Sequence, residues 1–373
     1  MNKRLELVKE EKAITLVVLV ITIVILLILA GISISALTNT GLFGKAKEAK
    51  EKTQNAEKEQ NKILGEYEHA LDQYDEKKLV YKVNNGTIKI GDYVSYIPDT
   101  ASTENILKEL KTYSGSDANT TETLRQEELK WRVLDVKEGK VRLISATPTT
   151  RNNKLYLYGA KGYNNAVYLL DKTCYTLYNN SKLVSNVQNI KIEDIQEHLK
   201  YDYKQEKNEY VDTKKYGGTK EYTVNINYPN LYAKEKKGWV DEKQGTRLDL
   251  SEQTEPIDET KTIANKKIKI TQTYWGKYTS SDDFENGYYE LFLNNGNNCN
   301  NFWISSRCVQ AYSNYINFDI RYAGEQGIYA GFLCRSFGDE YILDFAYRPV
   351  ITLNSNVSVI SGNGKIDSPY ELK

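Results

Sequence analysis

The stretch 129-LKWRVLDVKEGKVRLISA-146 alternates apolar and polar residues on either side of a Glu138-Gly139 pair. Successive side chains of a strand point to opposite faces, so Trp131 and Val133 share a face with Val141 and Leu143 across a two-residue turn. The reading is a β-hairpin with one side turned to a core. Upstream, IKIGDYVSYI (88–97) has the same period of two. Downstream, IKITQTYW (268–275), YYELFLNN (288–295), FWISSRCV (302–309), NFDIRYA (317–323) and AYRPVITLN (346–354) read as short strands separated by Asn and Gly. Pro349 inside the last run predicts an edge or bulge position, because proline has no N–H for the ladder. Between these runs, NNAVYLLDKTCYTLYNN (164–180) places Val167, Leu170, Cys174, Leu177 and Tyr178 on one helical face, and IEDIQEHL (192–199) forms a second short helix. The fold class is therefore α+β. Polar insertions are expected near 99–127, with one short helix at 104–111, and near 200–246, where Lys, Glu, Tyr and Gly dominate.

Composition narrows the function. The chain has 373 residues, with 50 Lys+Arg against 50 Asp+Glu, and a net charge of zero gives no electrostatic argument for nucleic acid as a partner. Two histidines, His69 and His198, leave almost no material for a multi-histidine metal site or a Ser/His/Asp constellation. The four cysteines, Cys174, Cys299, Cys308 and Cys334, form no C-x-x-C and have no histidine beside them, so the reading is non-catalytic thiols or one disulfide. Acidic pairs such as Asp282-Asp283 and Asp339-Glu340 read as solvated turns, since calcium needs several staggered oxygen ligands. No enzyme, metal or cofactor is expected. Tyrosine is abundant, 30 against 8 Phe, a choice suited to surfaces that touch partners through an apolar body and a polar tip.

Toward the N-terminus, residues 14–37 (ITLVVLVITIVILLILAGISISAL) are uncharged and almost continuously apolar, long enough for a transmembrane helix. Residues 38–78 carry Leu42, Ala46, Ala49, Ala56, Ile63, Tyr67, Ala70 and Tyr74 at helical spacing among mixed charges, predicting an amphipathic stalk. This segment, EEKAITLVVLVITIVILLILAGISI (10–34), resembles the prepilin-type signal and first helix of pilin-like surface proteins of Gram-positive bacteria. The resemblance implies a leader over 1–13, cleavage between Ala13 and Ile14 by a prepilin peptidase, and contact with pilus assembly machinery. Two positions depart from that pattern: Ala13 replaces the usual Gly, and Val18 replaces the acid that pairs with a neighbouring subunit's terminal amine.

A second resemblance spans 79–373. LKWRVLDV, GAKGYNNAVYLL (159–170), LDLSEQTEPI (248–257), LNNGNNCNNFWISSR (293–307), YRPVITL (347–353) and SGNGKIDSPYEL (361–372) are together similar to an uncharacterised extracellular domain family. That family is of the C-type-lectin-like, formylglycine-generating-enzyme-like superfamily, and its relatives include variable proteins of diversity-generating retroelements. The resemblance implies a non-catalytic ligand-binding domain on a long N-terminal transmembrane and amphipathic helix, anchored in the cell membrane by a single pass with the C-terminal domain extracellular. The alternative is a structural subunit or tip cap of a pilus or pseudopilus, and more remotely a formylglycine-generating-type oxidase.

The candidate ligand face lies between FWISSR and YRPVITL. Tyr312, Asn314, Tyr315, Asn317, Asp319, Arg321, Tyr322, Tyr329 and Tyr341 combine rigid aromatic contact area with adaptable hydrogen bonding, the composition of a paratope. Alternation assigns Ile316, Phe318 and Ile320 to the core and predicts an exposed face with Tyr315, Asn317, Asp319 and Arg321. Trp131 and Trp303 are expected in one interior. The ligand expected is an extracellular protein or glycan.

Overall fold

The computed structural model describes residues 21–26, 50, 52–64, 75–205, 212, 215–224, 227–229, 231–233, 236–238, 251–257, 260–262, 266–275, 280–285, 287–293, 301–324 and 327–373. Two compact units are present, Met1–Ala70 and Leu71–Lys373. The expected architecture, a long transmembrane and amphipathic helix leading into a C-type-lectin-like domain, is corrected to an α+β unit with several sheets. Among the described residues no helix is long and apolar enough to cross a membrane. Within the apolar run the described helical residues are 21–26. The rest of that run, and the proposed cleavage point at Ala13 and Ile14, lie outside the described residues. In the stalk region residues 52–64 are helical and mostly exposed.

The hairpin read from 129–146 is present as β2 (Trp131–Lys137) and β3 (Lys140–Ser145), with Trp131 opposite Ser145 and Lys137 opposite Lys140. Glu138 and Gly139 both have positive φ, 49° and 71°, the turn geometry whose twist matches the flanking strands. These strands sit in a seven-stranded mixed sheet ordered β17–β18–β1–β2–β3–β16–β5. The other members are β1 (Tyr93–Ser95), β5 (Val184–Asn189), β16 (Pro349–Leu353), β17 (Val359–Ser361) and β18 (Tyr370–Leu372). Pro349 corrects the expectation of an edge: β16 lies inside the sheet, paired with both β3 and β5, and the proline is its first residue, where the missing N–H is tolerated.

Both faces of this sheet are buried. Trp131, Val133, Leu143 and Ile351 face one apolar cluster, and Leu134, Ile144 and Val350 face another. The first cluster is filled by α3 (Gly159–Tyr178), a helix buried at 14 of its 20 positions, flanked by α1 (Leu79–Asn84) and α2 (Glu104–Tyr113). Trp131 and Trp303 are both in this cluster, 1% and 0% exposed, as expected. The second cluster receives α4 (Ile192–Gln196) and α5 (Tyr288–Phe292). Within the strand expected at 288–295, residues 288–292 form a helix. Its terminal carbonyls, Leu291 O and Phe292 O, accept bonds from the buried Arg348 guanidinium at 2.6 and 2.7 Å, and Tyr288 stacks on His198 at 3.6 Å. Tertiary partners override the β-propensity of this aromatic run.

On the other side of α3 lies a three-stranded antiparallel sheet of β12 (Phe302–Ala311), β13 (Ile316–Gly324) and β14 (Gly327–Arg335). Phe318 meets Tyr163 of α3 edge to face at 5.5 Å. β4 (Leu155–Tyr158) and β15 (Ile342–Phe345) form a two-stranded sheet, bonded to β14 through Tyr341 N–H and Leu333 O at 2.8 Å. The polar insertion contributes β6 (Thr219–Val224), paired with β11 (Lys266–Thr271). Within it β8 (Leu231–Ala233) pairs with β9 (Lys236–Gly238), and its β7 (Asn227–Pro229) pairs with β10 (Thr260–Thr262) beyond it.

Candidate functional site

The ligand face expected on β13 divides into a surface layer and a buried one. Ile316, Phe318 and Ile320 are fully buried toward α3, as alternation predicts. The opposite face is buried too, which corrects the expectation for Asn317, Asp319 and Arg321: they are 4%, 0% and 0% exposed. The cause is the segment after β11. Thr273 and Tyr274 donate backbone N–H to Val309 O at 3.0 Å each, so this segment runs along the edge of β12. Arg321 donates to Thr273 O and, at 2.7 Å, to Arg307 O. Tyr322 and Tyr329 are register partners near the far end of the hairpin, stacked at 5.3 Å; Tyr322 also stacks on Phe345, which meets Trp303 edge to face. They support the core and do not join the other candidates.

Tyr312, Asn314, Tyr315 and Tyr341 are brought together at the near end. The turn from β12 to β13 is closed by Tyr312 N–H to Tyr315 O at 3.0 Å and stacks the two rings at 4.6 Å, with Asn314 exposed between them. A second turn, 335–341, follows β14 and is tied to the first, since Ser336 N–H donates to Ile316 O and Ile316 N–H to Ser336 Oγ, both at 3.0 Å. Arg335 of this turn is the centre of the site. Its guanidinium lies 5.0 Å from the Tyr315 ring centroid, 4.9 Å from Phe332, 6.0 Å from Phe337 and 5.4 Å from Tyr341. It donates to Asp339 Oδ2 at 3.2 Å and to Asn317 Oδ1 at 3.3 Å, and Tyr341 donates its hydroxyl to the same Asp339 oxygen at 3.2 Å. Phe337, 45% exposed, offers an open ring. The adjoining β15–β4 pair adds Ile342 and Tyr158, register partners that are 50% and 38% exposed.

Phe332, Arg335 and Phe337 were not among the residues singled out from sequence, and Asp339 was read there, with Glu340, only as a solvated turn. Their signal is the run 334-CRSFGDEY-341, a turn with an aromatic and an arginine at its shoulders, which period-two alternation does not mark.

Beneath the surface lies a chain of hydrogen bonds. Tyr312 donates its hydroxyl to Gln310 Oε1 at 2.6 Å, and Gln310 donates its amide to Asp319 Oδ2 at 2.6 Å. The other oxygen, Oδ1, is buried with no partner. Burial pushes the Asp319 carboxyl up to about 7, against the opposing pull of the Gln310 bond and of Arg321 and Arg335. Burial likewise raises the Tyr312 phenol to about 12. It also holds the thiols of Cys174, Cys308 and Cys334 above their ordinary range, which makes them inert rather than nucleophilic. Cys299 lies outside the described residues.

Elsewhere, a groove of about 800 Å³ on the edge of the principal sheet is lined by charges engaged with one another, Lys137 with Glu197 and Arg142 with Asp194. The surface around Arg335 is where rings and polar groups converge without forming a closed core. No family model matches the chain, and neither a curated protein nor a solved structure matches it.

Proposed function

We infer that residues 71–373 form a non-catalytic recognition domain whose ligand face is the aromatic and arginine cluster between the turns 312–315 and 335–341. One observation carries this reading: a single guanidinium held among four rings, one of them openly exposed, on a scaffold whose strands are buried on both sides. Tyr, Phe and Arg give large contact area for little loss of side-chain freedom, and such residues dominate binding energy where they are prearranged. Asp339 and Asn317 hold Arg335 in place before any ligand arrives. The ligand is an extracellular protein or a glycan, and association with the cell membrane is assigned to the apolar stretch 14–37.

The test is a screen of the full-length chain in detergent against arrays of glycans and cell-surface proteins. For a partner so found, the double substitution Tyr315→Ala/Phe337→Ala is expected to weaken binding at least about 10-fold, the loss of more than one hot-spot contact. Tyr329→Ala, at the other end of the hairpin, leaves binding unchanged. Equal losses from both variants would place the ligand elsewhere.

A further inference from the structure

We propose that the wedge where β1 and β2 part is a second binding site, which takes a short extended peptide segment and completes the interrupted ladder between the two strands. The site is separate from the aromatic and arginine cluster and does not depend on it.

The register of the two strands defines the wedge. β1 and β2 run antiparallel, with Tyr93 opposite Arg132 and Val94 opposite Trp131. Tyr93 donates its N–H to Gly364 O at 2.8 Å, away from β2, so Val94 is the residue whose backbone faces Trp131. Hydrogen-bonded pairs alternate with non-bonded ones along an antiparallel ladder, and the next bonded pair would be Tyr96 with Leu129. That rung is not made. Among the described residues the backbone N–H and C=O of Tyr96 and of Leu129 have no partner. Further along, Gln126 reaches across and donates its amide to Asp99 O at 2.7 Å. Between the last rung and that bridge lies a cleft of about 470 Å³. Each wall is held from behind: β18 pairs with β1 through Ser95 and Glu371, and Lys130 O accepts the Ala146 N–H at 2.7 Å. The gap is therefore built into the sheet and is not a frayed edge.

The chemistry of the walls selects the ligand. Backbone donors and acceptors left open at ladder spacing are what an added strand satisfies. The lining is apolar at its rim, where Ile97 is 74% and Ile366 52% exposed, and Pro98 and Pro369 line the same cleft. Such a rim suits an aliphatic side chain and offers little to a polyhydroxylated ring. Tyr96 and Trp131, which meet edge to face at 5.0 Å, supply a firm inner wall. Four residues of extended chain, the run from Ser95 to Pro98, span about 13 Å, so the inserted part of the ligand is three or four residues long.

The probe is a displayed library of random nonapeptides, panned on the full-length protein in detergent. The expected result is a family of peptides sharing an aliphatic residue. Ile97→Asp, at an exposed position, is expected to weaken their binding at least about 10-fold, the loss of one buried aliphatic contact. Tyr315→Ala/Phe337→Ala is expected to leave it unchanged. Replacing the N–H groups of a selected peptide one at a time by N-methyl is expected to weaken binding about 5-fold at the positions that pair with the walls, the effect of one lost hydrogen bond. Should Ile97→Asp lower the melting temperature, Ile366→Asp takes its place. An empty selection overturns the proposal, as do peptides that bind the rim variant as well as the wild type. Tolerance of N-methyl at every position also overturns it, since a ligand that merely fills an apolar hole needs no ladder. The recognition face is read by Tyr315 and Phe337, so each site stands or falls without the other.

Discussion

Asp319 also has a consequence for stability, with a sign opposite to that of most acidic residues. A carboxylate paired with a cation has its pKa lowered on folding and supports the native state above its unfolded pKa. Asp319 is raised from 3.8 to about 7, so between those values the native state binds the extra proton. Stability is then expected to fall as pH rises from about 4 to 7, and above 7 the buried charge imposes its full cost, of order 4 kcal/mol. Asp135 works the other way: Arg142 and His198 hold its carboxyl below the usual range despite burial, and its contribution is lost as pH falls through that lowered value. Asp319→Asn keeps an acceptor toward Gln310 and abolishes the ionisation. Urea denaturation at pH 5 and at pH 8.5 checks this: the variant is expected to gain on the wild type at the higher pH, and equal differences at the two pH values would count against it.

At the scale of elements, the turn that carries Arg335 is fastened to the longest helix of the unit. Glu340 accepts the Ala160 N–H at 2.9 Å, placing a carboxylate at the N-terminus of α3, where orphan amides and the helix dipole favour negative charge. Gly159 opens that helix with φ +58° and donates its N–H to Tyr341 O at 3.1 Å; a Cβ there would lie 2.5 Å from the Glu340 carboxylate. Gly159→Ala is therefore both strained and obstructed, and is expected to cost about 1–3 kcal/mol in a thermal melt. Glu340→Ala removes only the cap and costs about 1 kcal/mol. A glycine replacement as mild as the loss of the cap would show that the turn yields freely. How much of this was legible depends on the kind of signal. The hairpin at 131–145 announced itself because the Glu138-Gly139 turn and the alternation on both sides agree. The run 288–292 misled because its rings favour strands locally, while the partners that make it a helix, His198 and Arg348, lie far away in sequence. For Asn317, Asp319 and Arg321, alternation separated two faces of a strand and was silent on whether the second is covered. The covering segment, 272–275, carries no mark of its destination.

For the whole molecule, strand order matters more than chain order. β16 enters the principal sheet between β3 and β5, and β18 lies beside β1, so the last residues of the chain complete a sheet begun by the first residues of the unit. A fragment ending at residue 265 lacks β16, β17, β18 and Trp303, and is expected to show no cooperative unfolding transition and no near-ultraviolet circular dichroism. A fragment that melts cooperatively would mean that residues 79–265 form a domain of their own. The double burial of β13 has a further meaning for how such a protein changes over generations. Its core positions and the polar ladder beneath the surface are committed to holding the strands, whereas the residues at 314, 315 and 337 hang from turns and are not needed to seal the interior. Exposed substitutions of that kind usually shift stability by only a few tenths of a kcal/mol. A lineage can therefore exchange its partner by altering a handful of turn residues while the inherited framework stays as it was.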